Sequence, residues 1–242
     1  MFARLEQAFD EIKRFTADAS HELRTPIAII RSEAEMGLQL NEDRLSTTAR
    51  LQSIVDECTR LTNLTAQLLS LSRAESAINK SSMKEIRLDE LLADAMDSLE
   101  PLAIAASVRI ELHSPVNSCV ILGDYESLRR VFHNLLDNAI KYNVSQGHVD
   151  LKCKVQSQTA IVEVRDTGQG IAEEHLPKIF DRFYRIHDEN LSQDRDESER
   201  VVRGSGLGLS IVSRIITNHG GRCEVASEIG KGTTFRVILP IA

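Results

Sequence analysis

Apolar residues recur at helical spacing from the start of the chain, as Phe2, Leu5, Phe9, Ile12 and Phe15, and the period resumes as Leu23, Ile27, Ile30 and Ala34. This predicts one long helix. Pro26 lies inside it, where its missing N–H and its ring kink a helix rather than necessarily end it. A polar break at 41–46 precedes a second stripe, Leu51, Ile54, Val55, Cys58, Leu61, Leu64, Leu68 and Leu71. The two helices are expected to run antiparallel. A lone hairpin has too little core, and stripes this long need a partner face, so a homodimer forming a four-helix bundle is the economical arrangement. The period is already under way at Met1, as in a piece cut from a longer protein, with a native start there left open.

After the polar stretch 79–85, the best linker, the pattern changes. It predicts a helix over 88–105, strands near 108–112 and 120–122, a helix over 125–142, and alternating strands at 149–155 and 160–165. A final helix over 207–218 precedes closing strands at 222–227 and 234–239. The expected fold of this part is an α/β sandwich with long helices on one face of a mixed sheet. Residues 186–203 are charged and without period, longer than an ordinary connection, and are taken as a functional lid.

At 242 residues the chain accommodates two modest domains, and 42% hydrophobic with 27% charged residues is a globular composition. Aromatics at 4% with no Trp argue against an aromatic-lined carbohydrate or methyl-lysine reader. A net charge of −7 disfavours a phosphate-backbone binder, so nucleic acid is not an expected partner. Cys58, Cys119, Cys153 and Cys223 show no C-x-x-C spacing and stand among apolar neighbours, which points to reduced thiols in a cytosolic compartment. No window approaches 18 apolar residues and no signal peptide opens the chain, so this piece is expected to be soluble.

Four runs could carry chemistry. In the first helix, Ser20-His21-Glu22-Leu23-Arg24-Thr25-Pro26 pairs an imidazole with a carboxylate. One ring nitrogen of a neutral imidazole can attack an electrophilic phosphorus while the carboxylate takes the proton from the other; alone, the pair equally fits a solvated helix face. In the helix over 125–142, Asn134, Asn138 and Lys141 fall at i, i+4 and i+7 on one face. Amide oxygens suit a hard divalent cation and an ammonium suits phosphates, although a polar helix surface would look the same. Asp166-Thr167-Gly168-Gln169-Gly170-Ile171 follows a strand, so a carboxylate at the strand end meets a turn where backbone can approach a ligand; a structural turn remains open. Gly204-Ser205-Gly206-Leu207-Gly208 opens a helix and aims N–H groups at an anion, phosphate being the natural guest. It is neither a P-loop nor a dinucleotide fingerprint, and a flexible hinge would share its composition.

Taken in order with Phe180-x-x-Phe183, these runs make the chain resemble the transmitter region of bacterial sensor histidine kinases. Phe15–Ala74 is similar to the dimerisation and histidine phosphotransfer domain, and Ile86–Ala242 to the catalytic ATP-binding domain of the Bergerat type. The implied division is 1–14 signalling coil leaving a HAMP domain, 15–78 phosphotransfer domain, 79–85 linker and 86–242 catalytic domain. The resemblance implies that His21 is the phosphoacceptor, Glu22 its base, and Thr25 the residue that orients water for dephosphorylating the partner. Asn134 and Asn138 would hold Mg²⁺ and phosphate, Lys141 and Arg185 would contact phosphate, and Tyr142 would stack on the nucleotide. Asp166 would accept from the adenine amino group, with Thr233 assisting through water. Gly168, Gly170 and Ile171, with Gly204, Ser205, Gly206, Leu207 and Gly208, complete the implied nucleotide contacts. ATP and Mg²⁺ are the expected cofactors. The expected partners are a second copy and a response-regulator receiver domain, whose aspartate takes the phosphoryl group and which the chain also dephosphorylates. Membrane attachment is expected only through a missing N-terminal sensor region in the bacterial inner membrane. Two rivals remain at this point: a catalytically silent nucleotide-binding scaffold, and an ATPase sharing only the ATP-binding fold. The His-Glu helix ahead of the ATP domain separates both from the kinase.

Overall fold

A computed structural model describes residues 2–39, 44–75, 83–113, 119–186 and 204–241. The chain divides into two compact units, Met1–Ser70 and Leu71–Ala242. The lid assigned to 186–203 lies outside the described residues except Ile186, as does most of the linker at 79–85. Among the described residues no helix is long and apolar enough to cross a membrane.

The first unit is built from α1 (Phe2–Gln39) and α2 (Arg44–Glu75) as far as Ser70, the end of α2 belonging to the second unit. α1 runs through buried Pro26 without a break in helical assignment. Because proline has no N–H, the Glu22 carbonyl loses its ordinary i→i+4 partner. Two ion pairs fix the direction of the helices: Glu22 with Arg60 at 3.9 Å and Glu33 with Arg50 at 2.8 Å. Rising positions on α1 therefore meet falling positions on α2, which makes the pair antiparallel. Residues 44–46, expected in the polar break, belong to α2, because Arg-Leu-Ser carries no helix breaker. Apolar side chains are left bare on this hairpin: Phe9, Ile27, Leu51, Val55 and Leu69 are all more than half exposed.

The second unit runs β1 (Lys84–Arg87), α3 (Leu88–Ala105), β2 (Arg109–His113), β3 (Val120–Gly123), α4 (Tyr125–Lys141), β4 (His148–Gln156), β5 (Thr159–Asp166), α5 (Gly208–Asn218), β6 (Arg222–Glu228) and β7 (Gly232–Pro240). Five strands form one sheet in the order β2-β4-β5-β7-β6, with β2 parallel to β4 and the other pairings antiparallel. β1 pairs with β3 in a separate antiparallel ribbon. The ribbon corrects the sequence expectation, because Lys84 and Glu85 were assigned to a linker and are strand residues. Only Ile86 of that strand is buried, so no alternation announces it.

Period-two alternation decides which sheet face is covered. Val149, Leu151 and Cys153 of β4, Ala160, Val162 and Val164 of β5, and Phe235, Val237 and Leu239 of β7 are buried. They meet the apolar stripes of α3, α4 and α5, such as Leu91, Phe132, Leu136 and Ile211. Each fully buried side chain of this size contributes about 1.5–3 kcal/mol. Asp166 faces Val149 across the strand pair and shares its buried side. A carboxylate is thereby delivered to the helix-covered face at the end of β5.

α4 is fixed at its start by the Asp124 side chain, which accepts from Ser127 N at 2.8 Å. The Asp124 N–H in turn donates to Nε2 of buried His219 at 3.1 Å, while His219 Nδ1 lies 2.8 Å from the Ile215 carbonyl. A neutral ring with its proton on Nδ1 meets both contacts. The start of α4 is thus tied to the end of α5. All four cysteines are free thiols; burial pushes Cys153 and Cys223 up to about 12, which leaves these two in the unreactive thiol form.

Candidate functional site

The end of β5 turns directly into Thr167-Gly168-Gln169-Gly170. Asp166 Oδ1 accepts from Gly168 N at 2.8 Å and from Thr233 N at 3.1 Å. Both bonds fall on one oxygen, so Oδ2 is left to accept a donor from a ligand. Burial pushes the Asp166 carboxyl above its ordinary range, against the opposing pull of these backbone bonds.

Glycines permit this packing. A Cβ on Gly168 would come within 2.3 Å of the Tyr142 carbonyl oxygen, and one on Gly232, whose φ is +96°, within 2.1 Å of the Asp166 carbonyl oxygen. No side chain fits either place. The loop is stitched to the β6–β7 hairpin by Gly230 N donating to Gln169 O at 2.8 Å and Ile171 N donating to Ser227 Oγ at 2.8 Å. Ser227 also lies 2.8 Å from Thr233 Oγ1 and donates to Gly232 O at 3.0 Å. With the serine proton committed to Gly232, Thr233 donates to Ser227 and keeps its oxygen lone pairs beside Asp166 to accept from water.

α4 supplies the facing wall. Asn134 Nδ2 donates to Gly208 O at 3.3 Å, so its oxygen, the hard donor, is the atom left over for a cation. Half-buried Asn138 lies one turn on. Lys141 is paired with Asp137 at 2.7 Å and would exchange that exposed ion pair for a phosphate at little cost. Tyr142 ends the helix 43% exposed, while its carbonyl accepts from Gln169 N at 3.1 Å. Its hydroxyl approaches Gly204, within 3.7 Å of where a Cβ would stand.

Gly204–Leu207 lead into α5, whose start carries no side-chain cap. The first-turn N–H groups and the positive helix end therefore point to whatever lies ahead of Gly208. Gly206, at φ +71°, packs against the Phe183 backbone, and Phe183 N donates to Gly206 O at 2.9 Å. This pins the segment bearing Arg185 to the glycine run. Phe180 meets Phe235 edge-on, with ring centroids 6.3 Å apart. The structure thus links Asn134 to Gly208, Tyr142 to Gly168 and Gly204, and Asp166 to Gly168 and Thr233 through direct contacts. The donor set fits a nucleotide with its divalent cation: a carboxylate oxygen for an amine, a glycine-lined wall, amide oxygens, and a helix start for phosphates.

His21 and Thr25 are exposed on α1, and Glu22 is half-buried. Thr25 Oγ1 donates to the His21 carbonyl at 3.4 Å, which holds the hydroxyl on the His21 side of the helix with its lone pairs open. Glu22 is steadied by Arg60 from α2.

Sequence reasoning missed three contributors. Asn143 donates to Ala139 O and His148 O and accepts from Thr167 Oγ1, clamping the end of α4 to the start of the Asp166 turn. Thr167 and Ser227 complete that framework. Ser227 stands opposite Thr233 in the β6–β7 register, so pairing the two closing strands was the one signal that could have found it.

Two family profiles match the chain: His Kinase A (phospho-acceptor) domain over residues 11–77, and histidine kinase-, DNA gyrase B-, and HSP90-like ATPase over 123–242. Among similar proteins, the sensor histidine kinase RppB of Synechocystis is 36% identical over 238 residues, covering 97% of this chain and 50% of its own. The sensor histidine kinase CusS of Escherichia coli is 32% identical over 240 residues, covering 99% and 48%. The phosphate regulon sensor protein PhoR of Pseudomonas aeruginosa is 34% identical over 233 residues, covering 96% and 51%. The chain spans about half the length of these relatives. Among solved structures, Acinetobacter baumannii histidine kinase AdeS superposes with a TM-score of 0.71 at 23% identity, covering 91% of this chain and 98% of that one. Histidine kinase ThkA in complex with response regulator protein TrrA gives 0.68 at 21% identity, covering 98% and 64%. At these identities the likeness is one of fold.

Proposed function

The chain belongs to the sensor histidine kinases, and on that premise we propose that it uses ATP to phosphorylate its own His21 and passes the phosphoryl group to an aspartate of a response-regulator receiver domain. The observation that carries the reading is the Asp166 carboxylate, held by two backbone N–H groups at a glycine-lined turn, in a chain whose other unit exposes His21 beside half-buried Glu22 on a helix. Residues 15–78 act as phosphotransfer domain and 86–242 as ATP-binding domain, with 1–14 the coil entering from upstream.

Asp166 Oδ2 accepts from the adenine amino group, Tyr142 stacks on the base, and Thr233 holds a water beside it. The 204–208 run, Lys141 and Arg185 take the phosphates. Asn134 and Asn138 hold Mg²⁺, which when bound neutralises phosphate charge. A ring nitrogen of neutral His21 attacks the γ-phosphorus, the bond to the β–γ bridging oxygen breaks, and ADP leaves. Glu22 takes the proton from the other ring nitrogen. The reaction is governed by positioning and charge neutralisation. Incubation with γ-labelled ATP is expected to yield an acid-labile, base-stable phosphoprotein; its absence under folded, Mg²⁺-replete conditions would refute the reading.

The bare apolar residues of the α1–α2 hairpin support a homodimer closing a four-helix bundle. The proposed setting is the cytoplasmic side of the bacterial inner membrane, reached through an upstream sensor region.

Asn138→Ala should weaken Mg²⁺-dependent ATP binding by about 10- to 100-fold and eliminate label while the fold survives, since one ligand oxygen is lost from a half-buried position. Calorimetric titration of ATP with and without Mg²⁺ checks it; an unchanged labelling rate would remove the metal role.

Thr25→Ala should retain substantial kinase activity and lose dephosphorylation of the regulator by about a hundredfold, because only hydrolysis needs an oriented water. If Thr25 merely prepares the backbone for Pro26, the variant leaves dephosphorylation unchanged. Prephosphorylated regulator, offered with ADP to each protein and followed for loss of phosphate, separates the two.

A further inference from the structure

The solvent face of the sheet carries a cluster that the nucleotide reaction does not use. Side chains at 109, 111 and 113 of β2 and at 148, 150 and 152 of β4 project to the face away from the helices, because Val149, Leu151 and Cys153 take the buried one. The parallel register sets Glu111 beside Asp150. One donor atom each from Glu111, His113 and Asp150 lies within 4.8 Å of the others. His113 Nε2 is 3.4 Å from Asp150 Oδ1 and 3.8 Å from Glu111 Oε2, and His148 Nε2 is 3.8 Å from Asp150 Oδ2.

We propose that Glu111, His113 and Asp150, with His148 adjoining through the other Asp150 oxygen, form a binding site for a borderline divalent transition cation of the Zn²⁺ class. Ligands about 2.1 Å from a tetrahedral ion stand about 3.4 Å apart, which the His113–Asp150 pair already meets and the other two pairs approach within a rotamer adjustment. Imidazole nitrogens mixed with carboxylate oxygens favour Zn²⁺, Co²⁺ or Ni²⁺ over Mg²⁺ or Ca²⁺. Two carboxylates offset the ion's two charges, with neutral imidazoles completing the set. Three cations border the cluster: Arg109 reaches Glu111 only at 3.9 Å with its side chain 79% exposed, while Lys152, opposite His113, and Arg165, opposite Asp150, make no ion pair with it among the described residues. The site is separate from Asn134 and Asn138, which belong to α4 on the covered face.

The test is titration of the whole chain with Co²⁺, followed by its visible d–d absorption and by Zn²⁺ displacement. The expected result is one equivalent bound with the spectrum of a four- or five-coordinate ion. His113→Ala and Asp150→Asn should each weaken it about tenfold or more, whereas His175→Ala, on a separate loop, should leave it unchanged. Thermal melting checks that the substitutions leave the fold intact. Failure of the parent chain to bind, or affinity in His113→Ala and Asp150→Asn unchanged from the parent, overturns the proposal.

Discussion

His21→Gln is expected to reduce label from γ-labelled ATP to background, a fall of more than about a hundredfold, while ATP affinity stays at the parent value. The acceptor is a particular nitrogen lone pair, and glutamine at the same helical position fills space without supplying one. Position 21 is exposed on α1, so the substitution removes no packing, and surface changes of this kind shift stability by about 0.5 kcal/mol or less. The proposed nucleotide contacts all lie in the other unit, from Asn134 to Thr233, and are untouched. The discriminating readout is therefore the split between binding and transfer: calorimetric ATP titration unchanged, phosphoprotein lost. Acid-labile label persisting in purified His21→Gln would mean another acceptor.

Asp166→Asn has the second large effect and the opposite signature. The asparagine oxygen can still accept from Gly168 N and Thr233 N, so the turn is retained. The second oxygen becomes an amide nitrogen, a donor that would face the donor of the adenine amino group in the proposed complex. Loss of a hydrogen bond to a charged acceptor costs about 1.5–3 kcal/mol, so ATP should bind about 10- to 100-fold more weakly and adenine should lose its advantage over guanine. Stability of the nucleotide-free chain should hold or rise, because the change removes a buried carboxylate. The sign follows from proton linkage. Burial raises the folded-state value above the ordinary 3.8; between the two values the folded chain binds more protons than the unfolded one. The Asp166 contribution to stability is therefore fully present below the ordinary value and is lost as pH rises through the raised one. ATP affinity moves the other way across that window, since the ionised form is the acceptor. In Asp166→Asn both pH dependences should flatten. Thermal melts and ATP titrations across the acid range measure them; a variant that loses stability and keeps ATP affinity would make Asp166 a structural residue only.

These two positions also mark how far the sequence could be read. α3, α4 and α5 were legible because each buries one stripe at period 3.6, and β4, β5 and β7 because they alternate, β5 through all eight residues, β4 over 148–153 and β7 over 233–237. β1 was not, because Lys-Glu-Ile-Arg offers one buried position and its pairing with β3 joins residues far apart in sequence. Asp166 was legible as a carboxylate ending a strand before glycines. Its two hydrogen bonds were only half so: Gly168 is two residues away, whereas Thr233 arrives from β7 through a cross-sheet register that no local pattern encodes. Asn143 and Ser227 escaped for the same reason, since each looks like an ordinary polar residue until its nonlocal partners are known. The His-Glu pair gave chemistry without geometry; Arg60, which steadies Glu22, comes from the other helix of the hairpin.

The most direct test is to locate the phosphate. The chain is incubated with Mg-ATP, digested under alkaline conditions that preserve phosphohistidine, and the modified peptide is sequenced by fragmentation in a mass spectrometer. Modification is expected on His21, and is expected to be absent when Asp166→Asn is treated at ATP concentrations well below its raised Kd. Phosphate on a serine, threonine or different histidine, or no phosphopeptide from a folded chain that binds ATP, would contradict it.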